Sequence, residues 1–379
     1  MLGIRKPLSA ALVFSAALFY LASPAKNGNP AWHCQVPGKG IEVGNIGISL
    51  GGYGSDLAYN QSDNTFWLLT DRGPNVDNAS GDGKIFPLPD FTPNIKVMKL
   101  HDNKLETIRQ IDLRTETGEK FTGLPEKEGD GNTGEYATTI DGKPLDGLHR
   151  GIDPEGLAIA ADGSFWVSDE YGPYLLHFSP DGVLLQKLSP FNGGLPRRYA
   201  LRRPNRGLEG LCMDQTSGSI FGILQSPVAG KGGSNLLPLF VRKADGSIRD
   251  FDYPLSAEAM GVSALCLLND TTLLVLERDG KFPIHDKAFK RVFKVEVPKN
   301  ATGGKLEKKL FLDIMEAAPS YDHDKAEGIA IVGDSILVVA NDDDFGITID
   351  SKGNIIKKLK SDGKPDSNEL WFIPLRLRE

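Results

Sequence analysis

The apolar positions of this chain fall in short runs of four to seven residues, separated by turns rich in Asp, Asn and Gly. The runs are β-branched and aromatic in character and too short for helices, so each adjacent pair predicts a β-hairpin. Five segments share one grammar: an acidic or polar residue, a small residue, an apolar run, a turn, a second apolar run and a closing acid or amide. The clearest copy reads Asp153-Pro154-Glu155-Gly156-Leu157-Ala158-Ile159, turns at Ala161-Asp162-Gly163, and returns through Phe165-Trp166-Val167-Ser168-Asp169-Glu170. Leu208 to Gln225, Val262 to Arg278 and Ala326 to Asp342 repeat it, and Ser55 to Arg72 is a more worn copy. Two further strand-like runs follow each pair, as Tyr174–Phe178 and Val183–Leu185 follow Asp169.

Four antiparallel strands per repeat make a propeller blade, so the expected fold class is all-β, a β-propeller. With Leu57, Leu157, Leu211, Leu265 and Ile329 taken as equivalent, the spacings are 100, 54, 54 and 64 residues. The long first interval holds a polar, Gly-rich insert over residues 115–150. The count is five blades, or six if the insert hides a degenerate one. The last copy offers a third strand at Glu369–Ile373 but no fourth. Ile41–Ile48 is expected to add it from the N-terminal side, which leaves no open edge.

This architecture has a chemical consequence. The first strand of a blade starts at one face of the ring and the second returns to it. Residues before the first strand and after the second therefore meet. Glu155 pairs with Asp169 on this logic, Glu209 with Gln225, Ser263 with Glu277 and Glu327 with Asn341, all around the channel mouth. Oxygen ligands with neither Cys nor paired His suit a hard cation, calcium above all, with other divalent cations open. The expected metal ligands are Asp71, Glu155, Asp169, Glu209, Glu327 and Asn341. The candidate catalytic acids are Glu155, Asp169, Glu170, Glu209, Glu277 and Glu327. Arg72, Arg206 and Arg278 stand beside these acids and are the candidate substrate-binding residues, suited to an anionic group. The bland alternative is that such acids cap turns and such arginines make structural pairs.

Residues 1–25 read as a processing signal, with Arg5 and Lys6 before an apolar run and Ser23-Pro24-Ala25 at the cleavage site. The run is shorter than a bilayer span, so no stable membrane insertion is expected. A single domain over residues 26–379 is then exported, periplasmic or extracellular. Removing residues 1–25 takes two positive charges and no negative ones, moving the formal balance from -7 to -9. That acidity speaks against nucleic acid. Cys34, Cys212 and Cys266 show no metal-type spacing, and Cys212 and Cys266 read as buried free thiols.

The strings Asp71-Arg72-Gly73-Pro74-Asn75, Asp153-Pro154-Glu155-Gly156, Trp166 to Tyr174, Asn205 to Gly210, Leu276 to Gly280 and Glu327-Gly328-Ile329 resemble the bacterial "esterase-like activity of phytase" family. The resemblance runs from about Tyr53 to Pro374. It implies a secreted propeller in the style of β-propeller phytases, with Asp and Glu residues carrying phosphoesterase or phosphodiesterase chemistry. A looser likeness is to calcium-dependent lactonases of the gluconolactonase and paraoxonase kind, and fold likeness does not transfer a reaction. The favoured expectation is a monomeric, metal-dependent hydrolase of a small anionic or ester substrate. The alternatives are a lactonase, or a non-catalytic propeller binding a glycan, peptide or protein, with calcium in a structural role.

Other signals carry less. Gly47-Ile48-Ser49-Leu50-Gly51 matches a nucleophile elbow, but no helix is predicted after it. His149, His285 and His323 read as solvated by default, with His149 a candidate acid or base. Asp342-Asp343-Asp344 reads as a solvated turn or an ion site, and Asp130 to Glu135 as a lid or ion loop. Arg197, Arg198, Arg202, Arg203 and Arg206 form the one basic patch.

Overall fold

The computed structural model describes residues 30–229, 234–283 and 287–375. The expected signal segment and His285 lie outside them. In chain order, β1 (Trp32–Gln35) precedes a hairpin of β2 (Lys39–Val43) and β3 (Ile46–Leu50). A first sheet is built from β4 (Asp56–Asn60), β5 (Thr65–Leu69) and, after the short pair β6 (Val76–Asp77) and β7 (Gly83–Ile85), from β8 (Asn94–His101) and β9 (Lys104–Asp112). β10 (Tyr136–Thr138) lies in the insert. The second sheet comprises β11 (Pro154–Ile159), β12 (Phe165–Asp169), β13 (Tyr174–Phe178) and β14 (Leu184–Leu188).

The third sheet has β15 (Leu208–Asp214), β16 (Ser219–Leu224), β17 (Leu236–Arg242) and β18 (Ile248–Pro254). The fourth has β19 (Gly261–Asn269), β20 (Thr272–Arg278) and β21 (Lys290–Glu296). It lends β22 (Gly303–Lys305) to the edge of the third and ends with β23 (Lys308–Asp313). The fifth holds β24 (Ala326–Val332) and β25 (Ile336–Asn341). The small hairpin β26 (Ile347–Ile349) and β27 (Ile355–Lys357) comes next, and β28 (Glu369–Pro374) completes the element order.

The first strands of the five sheets touch in a cycle: β4 on β11, β11 on β15, β15 on β19, β19 on β24, and β24 back on β4. That is the layout of a β-propeller. Strand alternation feeds two interfaces at once. Phe165 and Val167 of β12 pack toward the first sheet with Trp67 and Ile95, whereas Trp166 packs toward the third with Leu208 and Phe240. Equivalent clusters fill the third–fourth, fourth–fifth and fifth–first interfaces. Each sheet is thus buried on both faces, as its near-continuous apolar runs require.

The expected closing strand needs correcting. The strand paired to β28 is β1, with Trp32 opposite Phe372 and their rings stacked at 3.9 Å. Ile41–Ile48 cannot serve as one strand because Gly44-Asn45 forms a two-residue turn inside it, with Gly44 at φ 61. The hairpin packs instead against Val76, Phe345 and Ile347, forming a cap with β6 and β26. The insert contributes no additional four-stranded sheet among the described residues. Its β10 pairs parallel to β7, and Glu126 holds its base by accepting from the backbone N–H of His149 at 2.8 Å and of Gly151 at 2.6 Å.

Candidate functional site

Four of the five first strands carry a β-bulge at one equivalent position. In the second sheet the register passes from Pro154 opposite Asp169 to Gly156 opposite Ser168, leaving Glu155 unpaired. Corresponding shifts fall at Glu209-Gly210, Ser263 and Glu327 in the next three sheets. A bulge re-aims the extra residue, and Glu155, Glu209 and Glu327 line a cavity of about 310 Å³ at the channel mouth, joined by Ser55, just before the unbulged β4. Ser263 is turned aside, donating to the Ala326 carbonyl at 2.8 Å.

The glycine after each bulged glutamate is required by packing. A Cβ on Gly156 would stand 2.4 Å from the Glu209 carbonyl oxygen, on Gly210 2.8 Å from Leu265 N, and on Gly328 2.6 Å from Leu57 N. The Glu-Gly pair therefore encodes both a side chain turned to the axis and the close approach of neighbouring inner strands.

On the second strands, three residues expected at the site are not there. Asp169 is buried away from the cavity, accepting from Gly172 N at 3.0 Å and Asp153 N at 3.4 Å. Glu277 accepts from the Tyr253 hydroxyl at 2.6 Å and Ser256 N at 3.2 Å and pairs with Lys308. Asn341 accepts from Glu369 N at 2.8 Å and donates to the Ser367 carbonyl. The cavity is lined instead by the residues that follow them, Glu170, Arg278 and Asp342, together with Asp71 and Gln225, which were expected there. A shift of one residue flips the side of a strand, which accounts for the three misplaced residues. Asp71, Glu170, Arg72, Arg206 and Arg278 lie where expected, Asp344 was expected in a solvated turn or ion site, and Asp153, Lys325 and Asn205 were not anticipated.

The electrostatics follow from crowding. Burial lifts the Glu155 carboxyl well above its ordinary range, and Glu209, Asp153 and Glu170 lift it further. Burial raises Glu170 and Glu209 too, with Glu209 acting on the former and Glu327 on the latter. Asp71 is raised by burial and by Asp342. Such repulsion is relieved by protons or by a cation. Asp153, Glu155 and Glu170 place ligand oxygens within 4.8 Å of one another. An all-oxygen set at that spacing fits a hard divalent cation. Two acceptors nearby lack donors, Glu327 Oε2 and Asn205 Oδ1.

Basic groups stand among these acids. Arg72 Nε lies 3.4 Å from Asp153, and its terminal nitrogen 3.0 Å from Glu135 of the insert. Arg278 pairs with Glu327, Lys325 with Asp342 at 3.3 Å and with Asp344, and Lys84 with Asp77 at 2.6 Å. Gln225 donates to Glu209 at 2.9 Å and accepts from Arg206.

The remaining candidates serve the scaffold. Asp343 accepts from Gly52 N and Phe345 N. His149 is exposed. His323 is buried between Asp366 at 2.8 Å and Glu369 at 3.1 Å, contrary to a solvated reading. The basic patch is divided: Arg198 clasps Asp250 and Asp252, Arg202 binds the Tyr171 carbonyl, and Arg206 faces the cavity. Ser49 sits in β3 with no helix after it. All three cysteines are free and buried.

Fold and cavity together define an all-β, propeller-type protein with an acid-lined channel mouth. The chain belongs to the phytase-like family described as esterase-like activity of phytase, whose model matches residues 48–345. An uncharacterized secreted protein of Arthroderma benhamiae is 30% identical over 244 residues, 50% of this chain and 47% of the relative, so the match spans about half that protein's length. Among solved structures, a gluconolactonase from Xanthomonas campestris aligns at TM-score 0.40 and 12% identity, over 93% of this chain and 99% of its own. A virginiamycin B lyase from Staphylococcus aureus aligns at 0.38 and 13%, over 90% and 99%. No helix among the described residues is long and apolar enough to cross a membrane.

Proposed function

We propose that this chain is an exported hydrolase of phosphoester or ester bonds, working with a calcium-type cation at the channel mouth. Its scaffold on this reading is a single five-bladed domain over residues 26–379, closed by β1. The observation that carries the reading is the convergence of Asp153, Glu155 and Glu170 oxygens within 4.8 Å at the one cavity that the repeated acids share. These three side chains would hold the cation, with Glu209 and Asp71 near enough to raise their charge density. The cation would supply polarisation of the scissile group and a water of lowered pKa. Arg206 would orient the anionic end of the substrate, and Glu209, raised by burial and by Glu327 and held by Gln225, would exchange a proton with water or leaving group. Family membership and the secreted relative support this direction.

Metal analysis of purified protein, paired with hydrolysis of generic phosphoester and lactone substrates with and without chelator, tests it. Bound divalent cation and chelator-sensitive turnover are expected, with Glu155→Gln lowering metal affinity at least tenfold. Turnover indifferent to chelation overturns the mechanism. Calcium-dependent melting with no turnover on any ester would transfer the site to a binding protein.

A further inference from the structure

We infer that this cavity takes an ester bearing a single anionic group and an apolar substituent, not a polyphosphorylated compound. The inference rests on the hydrolytic reading above and narrows it.

Charge supply sets the limit. Among the described residues, nine carboxylate side chains and five basic ones line the cavity. Four of the basic groups are already spent on carboxylates: Arg72 on Asp153, Lys84 on Asp77, Arg278 on Glu327, and Lys325 on Asp342 and Asp344. Among the described residues, Arg206 is the one of these five that pairs with no carboxylate; it donates to the Gln225 amide oxygen. One guanidinium matches one phosphate or carboxylate group. Each further phosphate would face unpaired carboxylate oxygen, Glu327 Oε2 in particular, in a recess where water screens poorly. A cation on Asp153, Glu155 and Glu170 offsets part of that excess but adds only one more point of attachment.

The walls supply the second half. Met260, 54% exposed, stands at the mouth beside Arg206 and Arg278. The cap also borders the cavity, through the half-buried Ile349 of β26, while Ile347 and Val76 reach its edge from within the cap's own core. Apolar groups such as Met260 and Ile349 at an acidic mouth fit a substrate that carries an alkyl or aryl group away from its single charge.

The test uses metal-loaded protein with methyl and hexyl p-nitrophenyl phosphodiesters and with inositol hexakisphosphate, read by kcat/KM and by titration calorimetry. The hexyl diester is expected to exceed the methyl one at least fivefold, and the hexakisphosphate to be at least a hundredfold poorer. Ile349→Asp combined with Met260→Asp should erase the hexyl preference, and Arg206→Gln should raise KM for both diesters. Tighter binding or faster turnover of the hexakisphosphate overturns the inference, as does a hexyl preference that survives the double substitution. Should no ester turn over at all, the hydrolase reading falls, while calorimetry with the same compounds still decides the ligand class.

Discussion

Asp169 and Glu170 are adjacent in sequence and opposite in fate. Asp169 is wholly buried and accepts two backbone N–H groups, and burial pushes its carboxyl up to about 7. Glu170 turns toward Asp153 and Glu155 at the cavity. On the proposed reading, the two neighbours separate a metal ligand from a structural acid. With cation at a hundredfold excess over its Kd, binding adds about 2.7 kcal/mol to stability. Glu170→Gln is expected to remove most of that gain, whereas Asp169→Asn should lower stability without cation and leave the gain intact. Thermal melts with calcium and with chelator check both. This pair also shows where the sequence stopped being readable. The clustering of acids was legible from repeat spacing, because hairpins of equal length return to one rim. Which member of Asp169-Glu170, Glu277-Arg278 or Asn341-Asp342 faces inward depends on a one-residue register. That register is set by bulges on the first strands, and the second-strand residues carry no compositional mark of them.

At the scale of the strand, the Glu-Gly unit ties the site to the fold. The glutamate is the bulged residue, and the glycine lets the inner strand of the next sheet approach. Adding a methyl group at Gly328 would bring it within 2.6 Å of the Leu57 backbone nitrogen, which no flexible side chain can yield. Gly328→Ala should cost about 1–3 kcal/mol through overpacking and disturb Glu327 along with it. Gly163→Ala, at a turn with φ 84, should also destabilise, but through left-handed backbone strain and without effect on the cavity. Urea midpoints for the pair, set beside cation affinity, separate the two causes. Strand content and hairpin pairing were legible because period, turn residues and run length agree in every repeat. The closing strand was not. Trp32–Gln35 is only four residues long, and its aromatic partners on β28 lie more than 300 positions away.

For the molecule as a whole, the decisive joint is the fifth sheet, where the two ends of the described chain share one ladder. His33 of β1 approaches Glu369 of β28 at 2.9 Å and stacks on Trp371 at 4.4 Å. Behind that ladder, His323 is enclosed by Asp366 and Glu369, and Lys358 ties Asp366 at 3.2 Å to Asp324 at 2.8 Å and Asp344 at 2.7 Å. Burial works against a charge on His323, yet its bonds to Asp366 and Glu369 prevail and raise it from 6.5 to about 9. Burial likewise opposes the Glu369 charge, and His323 outweighs it, bringing that carboxyl down to about 2. The signs of the two contributions are opposite. A histidine raised on folding stabilises fully below 6.5, and the contribution is lost as pH climbs through about 9. A glutamate lowered on folding stabilises above about 4.5, and the contribution is lost as pH falls toward 2. The joint should therefore be strongest between about pH 4.5 and 6.5, and melting temperature should decline on both sides of that window. His323→Gln leaves Asp366 and Glu369 buried without their imidazolium. It should lower the melting temperature most inside the window and flatten its alkaline decline, whereas a variant that keeps the wild-type slope between pH 6.5 and 9 would show that the closure does not depend on this charge.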